Sequence, residues 1–172
     1  EGFKHEVIIA PRMAFGTGHH ATTYMMLQAM SRLDFKGKRV FDFGCGTGIL
    51  SVVAAMEGAS KVIGVDIQPE SRENSIEHAM LNHVSEACEF YEGGIELAGE
   101  VKYDIILANI NVTVIAKYFE QLKSLLQPNG YLLLSGIMTY DKAYMEQHLN
   151  FPPLVMIELH ERNDWLQVTL KN

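Results

Sequence analysis

The chain has 172 residues, 48% hydrophobic and 20% charged, with a formal net charge of −7. That length suffices for one domain with a full core, in which about 70% of the unfolded surface is buried. No apolar run approaches the ~20 residues of a membrane helix, the opening EGFKHEV lacks a signal-peptide pattern, and no Lys/Arg cluster forms the basic stripe of a nucleic-acid reader. The expected partner is therefore a small molecule or a basic protein, with no direct nucleic acid and no membrane. Cys45 and Cys88 stand far apart with no CxxC pair, which argues against a zinc ribbon or a disulfide framework. The expected setting is a reducing cytoplasm.

Taken in chain order, HEVIIA (5–10) reads as a short strand ending at Pro11. A helix over 20–33 follows, with Met26, Met30 and Leu33 on one face at i, i+4, i+7 spacing. The methionines there read as core filling. Next come RVFDF (strand), GILSVVAAMEGA (helix), KVIGVD (strand), PESRENSIEHAMLN (helix) and CEFYE (strand). YDIILANI is a fourth strand whose continuous apolar run suits burial on both faces. VTVIAKYFEQLKSLL is helical, with QPNG as its stop signal. GYLLLSGI is a fifth strand and TYDKAYMEQHL a helix. PLVMIELHE and DWLQVTLK, joined by RN, are too close for a crossover helix and pair antiparallel. Alternating strands and helices give an α/β fold, one domain over 1–172, with a mostly parallel sheet, helices on both faces and a reversed C-terminal hairpin.

Two glycine-rich stretches carry the chemistry. VFDFGCGTGILS sets Gly44, Gly46 and Gly48 directly after a strand and before a helix. Glycine there lets a ligand lie against the main chain, and the following helix offers free N–H groups. The spacing is G-x-G-x-G with Asp42 two residues ahead, whereas a dinucleotide fingerprint is G-x-G-x-x-G. Asp66 ends the next strand, 22 residues past Gly44, where an acid can accept hydrogen bonds from both hydroxyls of an adenosine ribose. Nicotinamide dinucleotides and S-adenosylmethionine both carry such a ribose; the glycine pattern favours the second. The other stretch, FGTGHHATT (15–23), precedes it by about twenty residues. A metal site at His19–His20 lacks ligand spacing, having no nearby Cys, Asp or Glu.

DFGCGTG followed by VIGVD resembles motif I and its acidic partner in class I S-adenosylmethionine-dependent methyltransferases, which implies a Rossmann-like seven-stranded sheet. More narrowly, MAFGTGHHATT, DFGCGTGILSVVAAMEGASKVIGVDIQPES and YDIILANI with LLQPNGYLLLSGI, together with the terminal DWLQVTL, resemble the bacterial family that methylates large-subunit ribosomal protein eleven. The similarity covers essentially all 172 residues. It implies transfer of methyl groups from S-adenosyl-L-methionine to lysine or other amino groups of that ribosomal protein. It also implies that Thr23, Gly44, Gly46, Gly48 and Asp66 lie at the cofactor and that Asn109 lies at the cofactor and faces the reacting methyl as the catalytic residue, with no metal. Family members carry an N-terminal substrate-recruiting domain, so this chain is expected to be the catalytic domain alone.

This sequence departs from the usual GTGTHPTT at His19 and Ala21, while INVTV replaces a small apolar loop after Asn109. A protonated lysine cannot attack, and at an ordinary pKa near 10.4 its deprotonation at pH 7 costs about 4–5 kcal/mol; burial beside a sulfonium lowers that pKa. Asn109 is expected to accept a hydrogen bond from the amine and aim its lone pair. His19 and His20 are candidate bases on proximity alone. The alternatives are a class I methyltransferase for another protein or a small-molecule amine, a non-enzymatic adenosine-binding module and, from another class, an NAD-dependent Rossmann oxidoreductase. The run ANIN lacks the Asn-Pro-Pro-Tyr/Phe signature expected for adenine amines.

Overall fold

A computed structural model of the chain describes residues 6–10 and 20–172. Seven strands form one sheet, β1 Arg39–Phe43, β2 Lys61–Asp66, β3 Cys88–Glu92, β4 Tyr103–Asn109, β5 Leu126–Met138, β6 Val155–Arg162 and β7 Trp165–Lys171, in the order β3-β2-β1-β4-β5-β7-β6. The first five strands are mutually parallel, and β7 runs antiparallel to both neighbours. Among the described residues no helix is long and apolar enough to cross a membrane.

Helices cover both faces. On one side α1 Ala21–Met30, α2 Ile49–Met56 and α3 Pro69–Leu81 pack on Val40, Val62, Ile105, Leu107 and Leu133. On the other, α4 Val112–Leu125 and α5 Lys142–His148 pack on Phe41, Ile106, Ala108 and Leu134. Strand β4 thus sends alternate side chains into the two cores, and its residues 105–108 are essentially inaccessible to water. The unbroken apolar run follows from that double burial. The methionines of α1 do fill core space, since Met25, Met26 and Met30 are all buried.

Three expectations shift. Over residues 6–10 no strand forms. The backbone of Ile8 is satisfied by the Asn82 side chain, and the Ala10 amide donates to His78 Nε2 at 3.1 Å, so this arm is bonded to α3 and joins no ladder. Nor does QPNG separate helix from strand. α4 ends at Leu125, β5 begins at Leu126, and the four residues form an excursion inside β5 between the pairs Tyr103–Leu126 and Ile105–Tyr131, with Asn129 at φ 62°. Finally, the hairpin loop is Asn163–Asp164, one residue later than expected, because Arg162 pairs Trp165. Both loop residues have positive φ, 47° and 63°, the geometry of the two-residue turn that suits strand twist.

Candidate functional site

The chain runs outward from β1 to β2 and β3 on one side and from β4 to β5 on the other, so a crevice opens between the carboxyl ends of β1 and β4. At the end of β1, Gly44, Gly46 and Gly48 take φ of 76°, 54° and 74°, the left-handed region that favours glycine. A Cβ on Gly44 would stand 2.3 Å from Ile110 Cγ2, so bare backbone is what lets the loop after β1 meet the loop after β4. Gly46 donates its amide to Asp66 Oδ2 at 3.0 Å, and Gln68 donates to Asp66 Oδ1 at 2.9 Å. Each oxygen of Asp66 is held by one amide, and about half the acceptor capacity of the carboxylate remains free.

Helix α3 supports the loop from behind. Its inner face is polar, with Ser71, Asn74, Ser75 and His78 all buried. Ser75 Oγ donates to the Gly46 carbonyl at 3.1 Å. His78 Nδ1 donates to the Thr47 carbonyl at 2.7 Å, which leaves Nε2 to accept the Ala10 amide. One neutral ring thus ties the N-terminal arm to the glycine loop. Gly48 faces this helix: a Cβ there would lie 2.6 Å from Ser75 Oγ. The structure therefore sets Gly48 at the start of α2 against α3, and it brings Thr23, Gly44, Gly46, Asp66 and Asn109 together around one cleft of about 430 Å³.

Thr23 enters that cleft from α1. The N-cap of α1 is His20, whose Nδ1 accepts from the Thr22 amide and lies 2.8 Å from Thr22 Oγ1. Thr23 is accordingly no cap. It is buried, and its Oγ1 has no hydrogen-bond partner among the described residues. Such an orphan hydroxyl costs about 1–3 kcal/mol, a cost that a bond to a ligand removes. Asn109, half-buried at the end of β4, likewise has a side-chain amide with no partner among the described residues. His19 and the glycines of the first loop lie outside the described residues.

Electrostatics distinguish the acids and thiols. Asp42, inaccessible on β1, has its carboxyl pushed up to about 7 by burial; the Ser51 hydroxyl, donating at 2.6 Å, opposes this, and the charge of Asp66 adds to it. Burial also pushes the Cys45 thiol well above its ordinary range and that of Cys88 to about 12. Neither sulfur is a thiolate at neutral pH, so neither is a nucleophile.

The sequence reading missed the polar face of α3 and Gly136. Ser71, Asn74, Ser75 and His78 recur at helical spacing, a signal that would have found the first. Gly136, at φ 77°, would place a Cβ 2.4 Å from the Ile110 carbonyl oxygen. No local pattern marks it, because the constraint comes from a loop 26 positions away.

Strand order and crevice together define a Rossmann-like class I methyltransferase fold; the dinucleotide sheet has the order 3-2-1-4-5-6, with no antiparallel strand inserted before the last. Within that class, residues 3–172 match the profile of the ribosomal protein L11 methyltransferase family, and the chain belongs to it. It is 39% identical over 160 residues to the ribosomal protein L11 methyltransferase of Porphyromonas gingivalis, covering 93% of this chain and 55% of that protein. With the Bacillus subtilis protein of the same name the identity is 35%, over 94% of this chain and 52% of the relative. The chain thus spans little more than half the length of these relatives. Among solved structures, a ribosomal protein L11 methylase from Lactobacillus delbrueckii subsp. bulgaricus superposes with a TM-score of 0.86 at 28% identity, covering 94% of this chain and 82% of that one. A T. thermophilus 16S rRNA methyltransferase, at 20% identity and TM-score 0.72 over 92% of this chain and 45% of its own, shares the fold.

Proposed function

We propose that the protein transfers methyl groups from S-adenosyl-L-methionine to lysine or other amino groups of ribosomal protein L11. Family membership supports the activity and the substrate. The observation that carries the cofactor is the buried, unpartnered Thr23 hydroxyl in a cleft whose other walls are the bare backbone of Gly44 and Gly46 and the half-satisfied Asp66 carboxylate. That donor set fits the group. Asp66 keeps lone pairs for a ribose cis-diol, the hydroxyl of Thr23 suits the amino-acid end, and among the described residues no basic side chain lines the cleft to meet a pyrophosphate.

When bound, S-adenosylmethionine supplies an electrophilic methyl on a sulfonium. The chain's own part is orientation. Asn109 stands where the cofactor cleft meets a neighbouring cavity, and its carbonyl accepts an N–H of the incoming amine, turning the lone pair inward. Positioning of this kind supplies much of the rate in an in-line displacement.

Assay with labelled S-adenosylmethionine and ribosomal protein L11 tests the reading. Asn109→Ala should lower turnover by about 100-fold, the scale of losing one group that orients the reacting atoms, while calorimetric affinity for S-adenosylhomocysteine stays within about threefold, since ground-state binding is unaffected. Undiminished turnover would remove Asn109 from the mechanism; labelling of a small amine but not of L11 would replace the substrate.

A further inference from the structure

Helix α3 carries one polar stripe on its inner face, and the two ends of that stripe meet different parts of the chain. Ser71 and Asn74, at its start, line the cofactor cleft. His78 and Asn82, further along the same face, do not line it and hold the arm at 6–10 instead. Asn82 Oδ1 accepts the Ile8 amide at 2.8 Å, and Asn82 Nδ2 donates to the Ile8 carbonyl at 2.7 Å. Val7 and Ile9 of the arm pack against the core under α1–α3, while Ile8 is 52% exposed. Held by two side chains and two partly buried residues, with no ladder, the arm belongs to the part of the fold that opens most easily.

His78 reaches from that arm back to the cofactor loop. A neutral imidazole has one donor and one acceptor. The Thr47 carbonyl can only accept and the Ala10 amide can only donate, at 2.7 and 3.1 Å, so both ring nitrogens are committed and the tautomer is fixed. The ring is buried, so bulk water does not replace a lost partner. When the arm lifts, Nε2 loses its donor, and a ring that turns to recover one withdraws Nδ1 from the Thr47 carbonyl. Thr47 joins Gly46, whose amide holds Asp66, to Gly48 at the start of α2. We propose that His78 is a positioning residue that couples seating of the arm to cofactor binding: the seated arm holds the glycine loop for S-adenosylmethionine, and lifting it lowers the affinity. By linkage, the bound cofactor tightens the arm by the same factor. The assignment rests on the cofactor reading above and adds to it a point of control outside the cleft.

Calorimetry with S-adenosylhomocysteine and hydrogen exchange at the Ile8 and Ala10 amides test the coupling. His78→Leu should weaken S-adenosylhomocysteine binding about tenfold, the scale of one net hydrogen bond. His78→Gln, which keeps a donor and an acceptor, should recover most of that loss. Asn82→Ala, whose bonds run only to the arm and to α3 itself, should weaken binding about fivefold, the lower end of coupling between sites. In His78→Leu protein the same Asn82→Ala change should weaken it no further. Ligand should slow exchange at both amides about fivefold in the parent and leave it unaltered in His78→Leu. Parent-like affinity in Asn82→Ala, or parent exchange indifferent to the ligand, would overturn the proposal even if His78→Leu failed to fold. Losses that multiply in the double variant would also overturn it, because the arm would then act on Thr23 through residues 11–19 and not through His78. A parent protein that does not bind S-adenosylhomocysteine would instead overturn the cofactor reading, and the coupling with it.

Discussion

The two cavities that meet at Asn109 are built in opposite ways. On the cofactor side, apart from the Thr23 hydroxyl and the free lone pairs of Asp66, the polar groups are already engaged: Asp66 holds two amides, the Gly46 carbonyl takes the Ser75 hydroxyl, and the Thr47 carbonyl takes His78. On the other side Asn109, Asp141 and Trp165 stand unpaired among the described residues. A wall that binds one invariant molecule is best preorganised by its own hydrogen bonds. A wall that must admit a large partner's side chain keeps its polar groups unspent until the partner arrives.

The largest effect should come from the contact that joins the two walls. Ile110 is wedged between Gly44 and Gly136, and a Cβ on Gly136 would meet Ile110 backbone atoms at 2.4, 2.8 and 2.9 Å. Gly136→Ala adds a strained left-handed backbone to that overlap, so urea denaturation should show a loss of about 3–5 kcal/mol. Methyl transfer should fall with it, because Asn109 adjoins the displaced residue. A stability loss below about 1 kcal/mol, the scale of an ordinary surface change, would mean that the loop after β4 yields easily and that the walls are independent.

That contact also shows what could be read from the chain beforehand. The parallel core was legible because each strand there is a short apolar run flanked by helical periodicity, and the β4 run told of burial on both faces. Gly44, Gly46 and Asp66 were legible because strand, turn and acid follow one another within one βαβ unit. Gly136, Asp141 and Trp165 were not, since the cavity they line is assembled by the antiparallel insertion of β7 beside β5. Thr23 lines the same cleft as Gly44 and Asp66, but its freedom from capping depends on His20 taking that role. The arm at 6–10 looked like a strand because its apolar residues pack on the core; its backbone partners turned out to be side chains of α3.

The strand behind the cofactor loop makes its own prediction through Asp42. Its carboxyl sits at about 7 in the folded chain against 3.8 for an unperturbed aspartate. The native state therefore binds more protons than the unfolded chain between those values, and stability falls as pH rises through that window. The slope is at most about 1.4 kcal/mol per pH unit from this one group, or about 4 kcal/mol across the whole window. Asp42→Asn keeps an oxygen for the Ser51 hydroxyl and has no proton to lose. Its stability relative to the parent should grow from pH 4 to pH 7 and level off above; a constant offset would show that Asp42 does not titrate there.

Next in size is Asp66. Two charge-assisted ribose bonds at about 1.5 kcal/mol each predict roughly a 100-fold weaker S-adenosylhomocysteine complex for Asp66→Ala by calorimetry. The same variant leaves the Gly46 and Gln68 amides without their acceptor, so Asp66→Asn serves as its control. If both variants bound the homocysteine product as tightly as the parent, the ribose role would go, and the carboxylate would be only a brace for the loop.

The smallest effect separates two asparagines that stand two residues apart. Asn109 has an unpaired amide, whereas Asn111 Oδ1 accepts both the Thr113 amide at 2.8 Å and the Thr113 hydroxyl at 2.6 Å, capping α4. The INVTV sequence, which departs from the small apolar loop of related proteins, is thus a helix start. Asn111→Ala should cost about 1 kcal/mol in urea denaturation, the ordinary value of an N-cap. Turnover should stay within about twofold, because the lost oxygen was already committed to the helix and changes no transition-state contact. Asn111 also borders the second cavity, so a large loss of activity at unchanged stability would reassign it from the fold to the chemistry. The contrast with Asn109→Ala then rests on the state of the side-chain oxygen: in one short loop, the asparagine whose oxygen is committed to the helix should read out in stability and the other in rate.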